Sequence, residues 1–368
     1  MSAPLAPDDV VVTHAAAASH AREPLVVLEP LRAFLAEHGL AGDAGAQLVV
    51  EPLGEGHSNV TLLVRSDGRE LVLRRPPRGP LPPSAHDVLR EARLLRALEA
   101  TAARVPRVLA VGDDPALIGA PFYVMERVFG EVVTSRVPVW LDTPAQRRRI
   151  GEELVDALVE VHAVDWRAGG LEGFSTRPED YLERQLRRFL GLWQHNRTRE
   201  IAAVERVAAW LREHLPASPA PTIVHGDYRL GNVMLAAGDP GAAGRINAIF
   251  DWEMATIGDP LADLGYLSAL WVQRDDPPLG MFELSRVTRG EGFATRAELV
   301  ARYERLSGRP VTDIRWYRTL AIWKAVVFME GNYRRALAGS TDDPWLHGFG
   351  EGVIALAERA ELGALGKD

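Results

Sequence analysis

The hydrophobic pattern of the chain turns from mostly strand-like to mostly helical near Phe129–Gly130, and that change limits the fold more than any other feature of the sequence. Before it, short β-rich runs alternate with glycine and polar turns: "QLVVEPL", "NVTLLVRS", "ELVLRR", "RVLAVGD" and "PFYVMERV". One helical segment interrupts them, "SAHDVLREARLLRALEA", where Leu94, Leu95 and Leu98 form a stripe at helical spacing. Ser84 and Asp87 are spaced as a capping box at its start. A shorter helix is expected over Val27 to Leu40. After the change the pattern is helical. "RRRIGEELVDALVEVHAV" places Ile150, Leu154, Leu158 and Val161 on one face. "DYLERQLRRFLGLW", "IAAVERVAAWLREHL", "RAELVARYERLSG" and the stretch from Ile314 to Ala338 are further helices. Two β islands break them, "IVHGDYRLGNVML" and "INAIFDWEMATIGD". The expected architecture is α+β: a mobile lead-in over residues 1–26, a small mixed lobe over 27–128 and a larger helical lobe over 129–368.

Composition narrows the chemistry. The chain has no cysteine, which removes disulfides, thiolate metal sites and cysteine nucleophiles. A net charge of −8 disfavours non-specific nucleic-acid binding. No apolar run is long enough to span a bilayer, and the N-terminus lacks the basic start and apolar block of a signal peptide. A cytoplasmic protein is expected. The positive charge is nearly all arginine, with only two lysines, Lys324 and Lys367. A GC-rich coding sequence accounts for the bias, but any site that needs a cation must then use Arg. Lys324 reads as a surface or core-edge lysine.

Four places could carry chemistry. "GEGHSNV", Gly54 to Val60, sits between two expected strands, and its backbone N–H groups could cradle phosphates. Arg74 on a strand and Glu91 on the next helix could pair and hold the cation against a phosphate; alone, such a pair is an ordinary surface ion pair. Asp227 and Asn232 stand five apart in the first β island. Asp251 ends the apolar run of the second, nineteen residues after Asn232. An Asp carboxylate with an Asn amide oxygen is a hard-oxygen pair suited to Mg2+. A lone Asp in any of these positions would cap a turn; the ordered set points to a site.

"HGDYRLGN" followed by "FDWE" resembles the aminoglycoside phosphotransferase and choline kinase superfamily, whose fold is protein-kinase-like with two lobes. "GHSN", "LVLRRPP", "YVMERV", "YLERQLRRF", "HGDYRLGN" and "GDPLADLGYL" together look like the phosphotransferase domains fused to some acyl-CoA dehydrogenases. The resemblance runs from about Val49 onward. It implies a transferase using ATP, or GTP, with Mg2+ to phosphorylate a hydroxyl group of a small molecule.

The roles it implies are specific. Asp227 orients the acceptor hydroxyl and accepts its proton, and Asn232 and Asp251 hold the metal. Gly54, Gly56, His57, Ser58 and Asn59 form the glycine loop. Arg74 and Glu91 anchor phosphate, and the backbone of Glu126 and Val128 reads the base. His225 and Asp263 support the catalytic loop, with Asp259 able to share that work. Arg229 either meets the transferred phosphoryl group or pairs with a nearby carboxylate. Tyr181, Arg184, Trp193, Glu330 and Arg334 are expected to line the acceptor pocket, whose arginines would suit an anionic or CoA-linked hydroxy compound.

One departure stands out: the family's strand cation is usually Lys, and here it is Arg74, a bulkier planar group. A nucleotide-binding pseudokinase is therefore the alternative. A metallophosphoesterase lacks its upstream D-x-H, and a serine hydrolase lacks G-x-S-x-G. Partners are expected to be nucleotide and acceptor, with no nucleic acid and no membrane.

Overall fold

The computed structural model describes residues 5–42, 47–54, 59–79, 86–237, 243–278, 283–339 and 344–367. By compactness the chain forms two units: residues 1–101 with 105–128, and residues 102–104 with 129–368.

The first unit is built on a sheet. Two short strands, β1 (Val10–Val11) and β2 (Val26–Val27), pair in parallel around the helical turn α1 (His14–Ala17). The N-terminal stretch expected as a mobile lead-in is therefore folded. Asp9 fixes it, accepting from Ala6 N at 2.7 Å and pairing with Arg22 at 2.8 Å and Arg78 at 2.6 Å. Next come α2 (Leu28–Glu37), β3 (Val49–Pro52), β4 (Val60–Ser66), β5 (Arg69–Arg75), α3 (Val88–Leu98), β6 (Val108–Gly112) and β7 (Phe122–Glu126). The five strands form one antiparallel sheet in the order β3-β4-β5-β7-β6.

Side chains alternate across a strand, and here the alternation sorts core from function. Leu71 and Leu73 of β5 join Leu62, Val64, Phe122 and Val124 in a core closed by Leu31, Phe34 and Leu35 of α2. Arg74, one residue out of phase with Leu73, faces the other way, toward α3. That helix is capped by Asp87, whose side chain accepts from Arg90 N at 2.9 Å. Asp87 is thus the N-cap and not the third residue of a capping box; Ser84 lies outside the described residues.

The second unit is helical: α4 (Pro144–His162), α5 (Tyr181–Asn196), α6 (Ala202–Glu213), α7 (Leu261–Leu270), α8 (Arg296–Ser307), α9 (Ile314–Leu337) and α10 (Phe349–Ala364). The central helix, α9, packs against α5, α6, α7 and α10. Tryptophans fill the space between helices and still satisfy their indole N–H groups. Trp316 donates to Leu211 O at 3.0 Å and Trp323 to Val204 O at 3.2 Å, both carbonyls of α6. Residues 102–104 belong here too: Arg104 donates to Glu160 at 2.7 Å, to Glu153 and to Ile246 O.

Two small antiparallel pairs carry the β islands. β8 (Thr222–Val224) pairs with β11 (Thr256–Gly258), and β9 (Val233–Leu235) with β10 (Ile246–Ile249). The registers Val224↔Thr256 and Val233↔Ile249 bring the ends of residues 225–232 and of 250–255 side by side. No helix among the described residues is long and apolar enough to cross a membrane.

Candidate active site

The loop between β8 and β9 is held from beneath by one buried carboxylate. Asp263, on the first turn of α7, accepts from His225 N at 2.6 Å and from Gly226 N at 2.8 Å. His162 stands on the same carboxylate at 3.3 Å and meets the Tyr303 hydroxyl at 2.7 Å with its other nitrogen. Burial pushes the Asp263 carboxyl up, but His162, His225 and the backbone N–H of Gly226 overcome it and hold the group below its ordinary value. Asp259 moves the opposite way: burial wins over the bonds from Tyr317 and Leu261 N, and its carboxyl is raised. Asp259 holds its own helix start and Tyr317, so loop support rests with Asp263.

His225 is fully buried and spent on both sides. Its Nδ1 accepts from Asp227 N at 3.2 Å, so its ring proton lies on Nε2 and goes to Phe250 O at 2.9 Å. The ring thereby ties the first loop to the second, and Phe250 N returns a bond to Asn232 O at 2.8 Å. Gly226 is needed at its place: φ is +88°, and a Cβ would stand 2.8 Å from Met254 O.

On this platform Asn232 donates from Nδ2 to both the main-chain oxygen and Oδ2 of Asp227, at 2.8 Å each. Arg229 Nε lies 3.5 Å from Asp227 Oδ1, and its guanidinium fills the space over Gly231, where a Cβ would be 2.2 Å from Nη1. Asp251 takes the left-handed conformation, φ +66° and ψ 58°, at the head of the adjoining turn. Among the described residues no cluster of three or more His, Asp or Glu is arranged for a metal. Asn232 and Asp251 remain as one amide and one carboxylate, the sparse oxygen set that Mg2+ accepts when phosphates and waters complete its shell.

In the first unit, Arg74 donates from Nε to Glu91 at 2.9 Å and from Nη1 to Thr61 at 3.2 Å. Its neighbour Arg75 is structural, buried on the Ile118 carbonyl at 3.1 Å and that of Leu25, with burial pulling it down to about 10. Gly54 takes φ +82°, and Asn59 is buried with Oδ1 3.2 Å from His86 Nδ1. Gly56, His57 and Ser58 lie outside the described residues. Glu126 turns its carboxylate to Arg107 N at 3.0 Å, and Val128 closes the unit.

The expected acceptor residues divide. Tyr181 lines an open pocket with Gly226, Asp263, Tyr266, Tyr317 and Lys324. Arg184 bonds Ser175 at 3.2 Å and keeps a buried Nε without a partner among the described residues. Trp193, Glu330 and Arg334 are corrections. Trp193 is core, its indole donating to Glu205 at 2.9 Å. Glu330 is fully buried and holds Thr198 N at 2.8 Å, and Arg334 is tied to His195 O. All three are expected at the pocket from the segments that carry them, but each is held by a polar partner elsewhere in the unit.

Sequence reasoning missed Tyr266 and Lys324. The Tyr266 hydroxyl faces the Asp227 carboxylate, and burial with Asp227 beside it raises Tyr266 well above its ordinary value. Lys324, expected as bland, is half-buried in the pocket wall, 4.8 Å over the Phe189 ring. Burial, with Arg188 nearby, pulls it down to about 8. Its signal was the retention of lysine in a chain that otherwise uses arginine.

A sheet-based first unit, a helical second unit and an Asp-Asn loop beside a second acidic turn define a kinase-like α+β fold. A family model described as the phosphotransferase enzyme family matches residues 49–314, and the chain belongs to that family. Mouse acyl-CoA dehydrogenase family member 10 is 34% identical over 83% of the chain but only 28% of that protein. The human family member 11 is 30% identical over 89% of the chain and 42% of its own length. The chain thus spans well under half of these relatives. A Ralstonia eutropha protein designated an aminoglycoside phosphotransferase superposes with a TM-score of 0.76 at 28% identity, covering 92% of this chain and 98% of that one. Aminoglycoside phosphotransferase APH(4)-Ia, solved with AMP-PNP and hygromycin B, shares the fold at 18% identity and a TM-score of 0.55, over 91% of this chain and 98% of its own.

Proposed function

We propose that the chain is an ATP- and Mg2+-dependent small-molecule kinase: ATP + R–OH → ADP + R–O–phosphate. The observation that carries this reading is the double hydrogen bond from Asn232 to Asp227, on a loop braced by Asp263 and lying beside Asp251. The oxygen pair Asn232 and Asp251 would hold Mg2+, which when bound neutralises charge on the nucleotide phosphates. With its NH2 group spent on Asp227, Asn232 has Oδ1 to offer a cation.

Phosphoryl transfer asks mainly for positioning and charge. Asp227 would accept the proton of the acceptor hydroxyl as that oxygen bonds to the γ-phosphorus and the bridging P–O bond to ADP breaks. Arg229, now on Oδ1 of Asp227, would meet the equatorial oxygens of the transferred group. In the first unit, Arg74, set by Glu91 and Thr61, would hold nucleotide phosphate together with the Gly54–Asn59 loop, and the backbone of Glu126 and Val128 would read the base. The acceptor would be an anionic or CoA-linked hydroxy compound.

The decisive experiment is ADP release across hydroxylated metabolites, aminoglycosides and hydroxyacyl-CoAs. Asp227→Asn is expected to cost at least ~100-fold in turnover, the scale of general-base effects. Near-wild-type turnover in that variant would sink the assignment. Arg74 in place of lysine favours one second reading, a nucleotide-binding pseudokinase. In that case ATP with Mg2+ raises Tm, and no acceptor releases ADP.

A further inference from the structure

The pocket beside Gly226 holds an ammonium, that of Lys324, with no hydrogen-bond partner among the described residues; Asp263 and Asp227 act on it only through space. The pocket wall is made by Tyr181, Tyr266, Tyr317 and Lys324, with Gly226 and Asp263 at its base. The tyrosines are fixed by close approach to glycines: a Cβ on Gly258 would stand 2.4 Å from Tyr181, and one on Gly265 2.4 Å from Tyr317. Acids surround the pocket, but they are committed. Asp263 serves His225 N, Gly226 N and His162, and Asp259 serves Tyr317 and Leu261 N. Asp227 carries the bond from Asn232 and the contact with Arg229.

Lys324 has no such commitment. Among the described residues no carboxylate or carbonyl bonds its ammonium, and its close neighbour is the Phe189 ring face. The other charge near it on α5 is a second cation, Arg188. Arg184, one turn earlier on that helix, keeps its buried Nε unpaired. A half-buried ammonium with no hydrogen-bond partner at a pocket wall is a donor that a ligand's acceptor oxygens can serve.

We propose that Lys324 is the specificity-determining residue of the acceptor site, binding an anionic group, a carboxylate or a phosphate, carried by the same molecule as the reacting hydroxyl. This rests on the phosphotransferase reading for what the pocket receives.

The test compares matched probes: 3-hydroxybutyrate against 1,3-butanediol, and glycerol 3-phosphate against glycerol. Binding is measured by calorimetry and turnover by ADP release, on the full chain and on Lys324→Met. At least one anion is expected to bind the unaltered protein ten-fold or more tighter than its neutral partner, and the winning pair says whether carboxylate or phosphate is meant. In Lys324→Met that preference of anion over neutral partner falls to two-fold or less. Melting of the variant in parallel separates lost recognition from lost folding. Equal binding of anion and neutral by the unaltered protein, or an anion preference that survives in a folded Lys324→Met, overturns the proposal. Lys324-dependent anion binding without ADP release from any acceptor would leave the proposal standing and remove the kinase reading. Turnover of neutral acceptors indifferent to Lys324 would do the reverse.

Discussion

Asn232 grips Asp227 at both ends, through the main-chain oxygen and through Oδ2, each at 2.8 Å from the same Nδ2. The amide thereby fixes the χ angles of the acid as well as the turn that carries it. Asn232→Ala removes both bonds and takes that donor from the Asp227 main-chain oxygen. Turnover is expected to fall at least ~100-fold, of the order seen for loss of a positioned polar group in an active site. Steady-state ADP release checks it. A loss confined to KM for the acceptor would mean that Asn232 does not set the geometry of Asp227.

Arg229 should act on the rate more than on binding. It sits 3.5 Å from Oδ1 of Asp227, with its guanidinium over Gly231. Arg229→Ala is expected to lower kcat at least ~30-fold while the Kd for ATP changes less than about three-fold, because charge develops on the phosphoryl oxygens only in the transition state. Equal losses in kcat and ATP affinity would leave Arg229 as a simple ion-pair partner.

The acid limit of stability should trace to Asp263. Its folded carboxyl is held below the ordinary value of 3.8. For a depressed acid the stabilisation is present above the unfolded pKa and is lost as pH falls through the folded one. Asp263→Asn cannot accept from both His225 N and Gly226 N as the carboxylate does. Urea unfolding at pH 7 is expected to show a loss of about 2–4 kcal/mol, from backbone donors left unserved in the core. Below pH 3.8 the difference between variant and parent should shrink.

Arg74 joins two tasks, and substitutions should separate them. Its partner Glu91 is 2% exposed at the side chain. Arg74→Ala takes one cation from that buried carboxylate and is expected to cost up to about 3 kcal/mol, the scale for breaking a buried pair. Arg74→Lys keeps the charge but lacks the planar fork that reaches Glu91 and Thr61 together. It should recover most of the stability, measured by urea unfolding. The rise in Tm produced by ATP with Mg2+ then reports, variant by variant, what the fork contributes to nucleotide binding.

Much of this was legible in the chain because it is written in local periods and short spacings. The strands around Leu62, Leu71 and Val124 are short apolar runs buried on both faces and bounded by turn residues, and the stripe of Ile150, Leu154, Leu158 and Val161 is fully buried as a helical face should be. Helices α7 and α10 were not legible. The first is apolar nearly all round and offers no contrasting face, and the second is diluted by Gly350 and Gly352. The pairing β1–β2 escaped notice because two-residue strands carry no period. At the site, Asp227, Asn232, Asp251 and Asp263 are close in sequence and fixed by motif. Lys324, Tyr181 and Tyr266 meet only because α9, α5 and α7 converge, and helix convergence is long-range packing that no window of sequence contains.

The short run Ala102–Arg104 has a consequence for how such proteins can be cut and joined. It interrupts the first unit in sequence yet belongs to the second, where Arg104 answers Glu153 and Glu160. The chain therefore crosses between units three times, and Val128–Phe129 is not a single seam. A fragment beginning at Phe129 would carry two acids whose shared cation had been left behind on the other piece. Recombination or excision at that apparent border transplants an incomplete part.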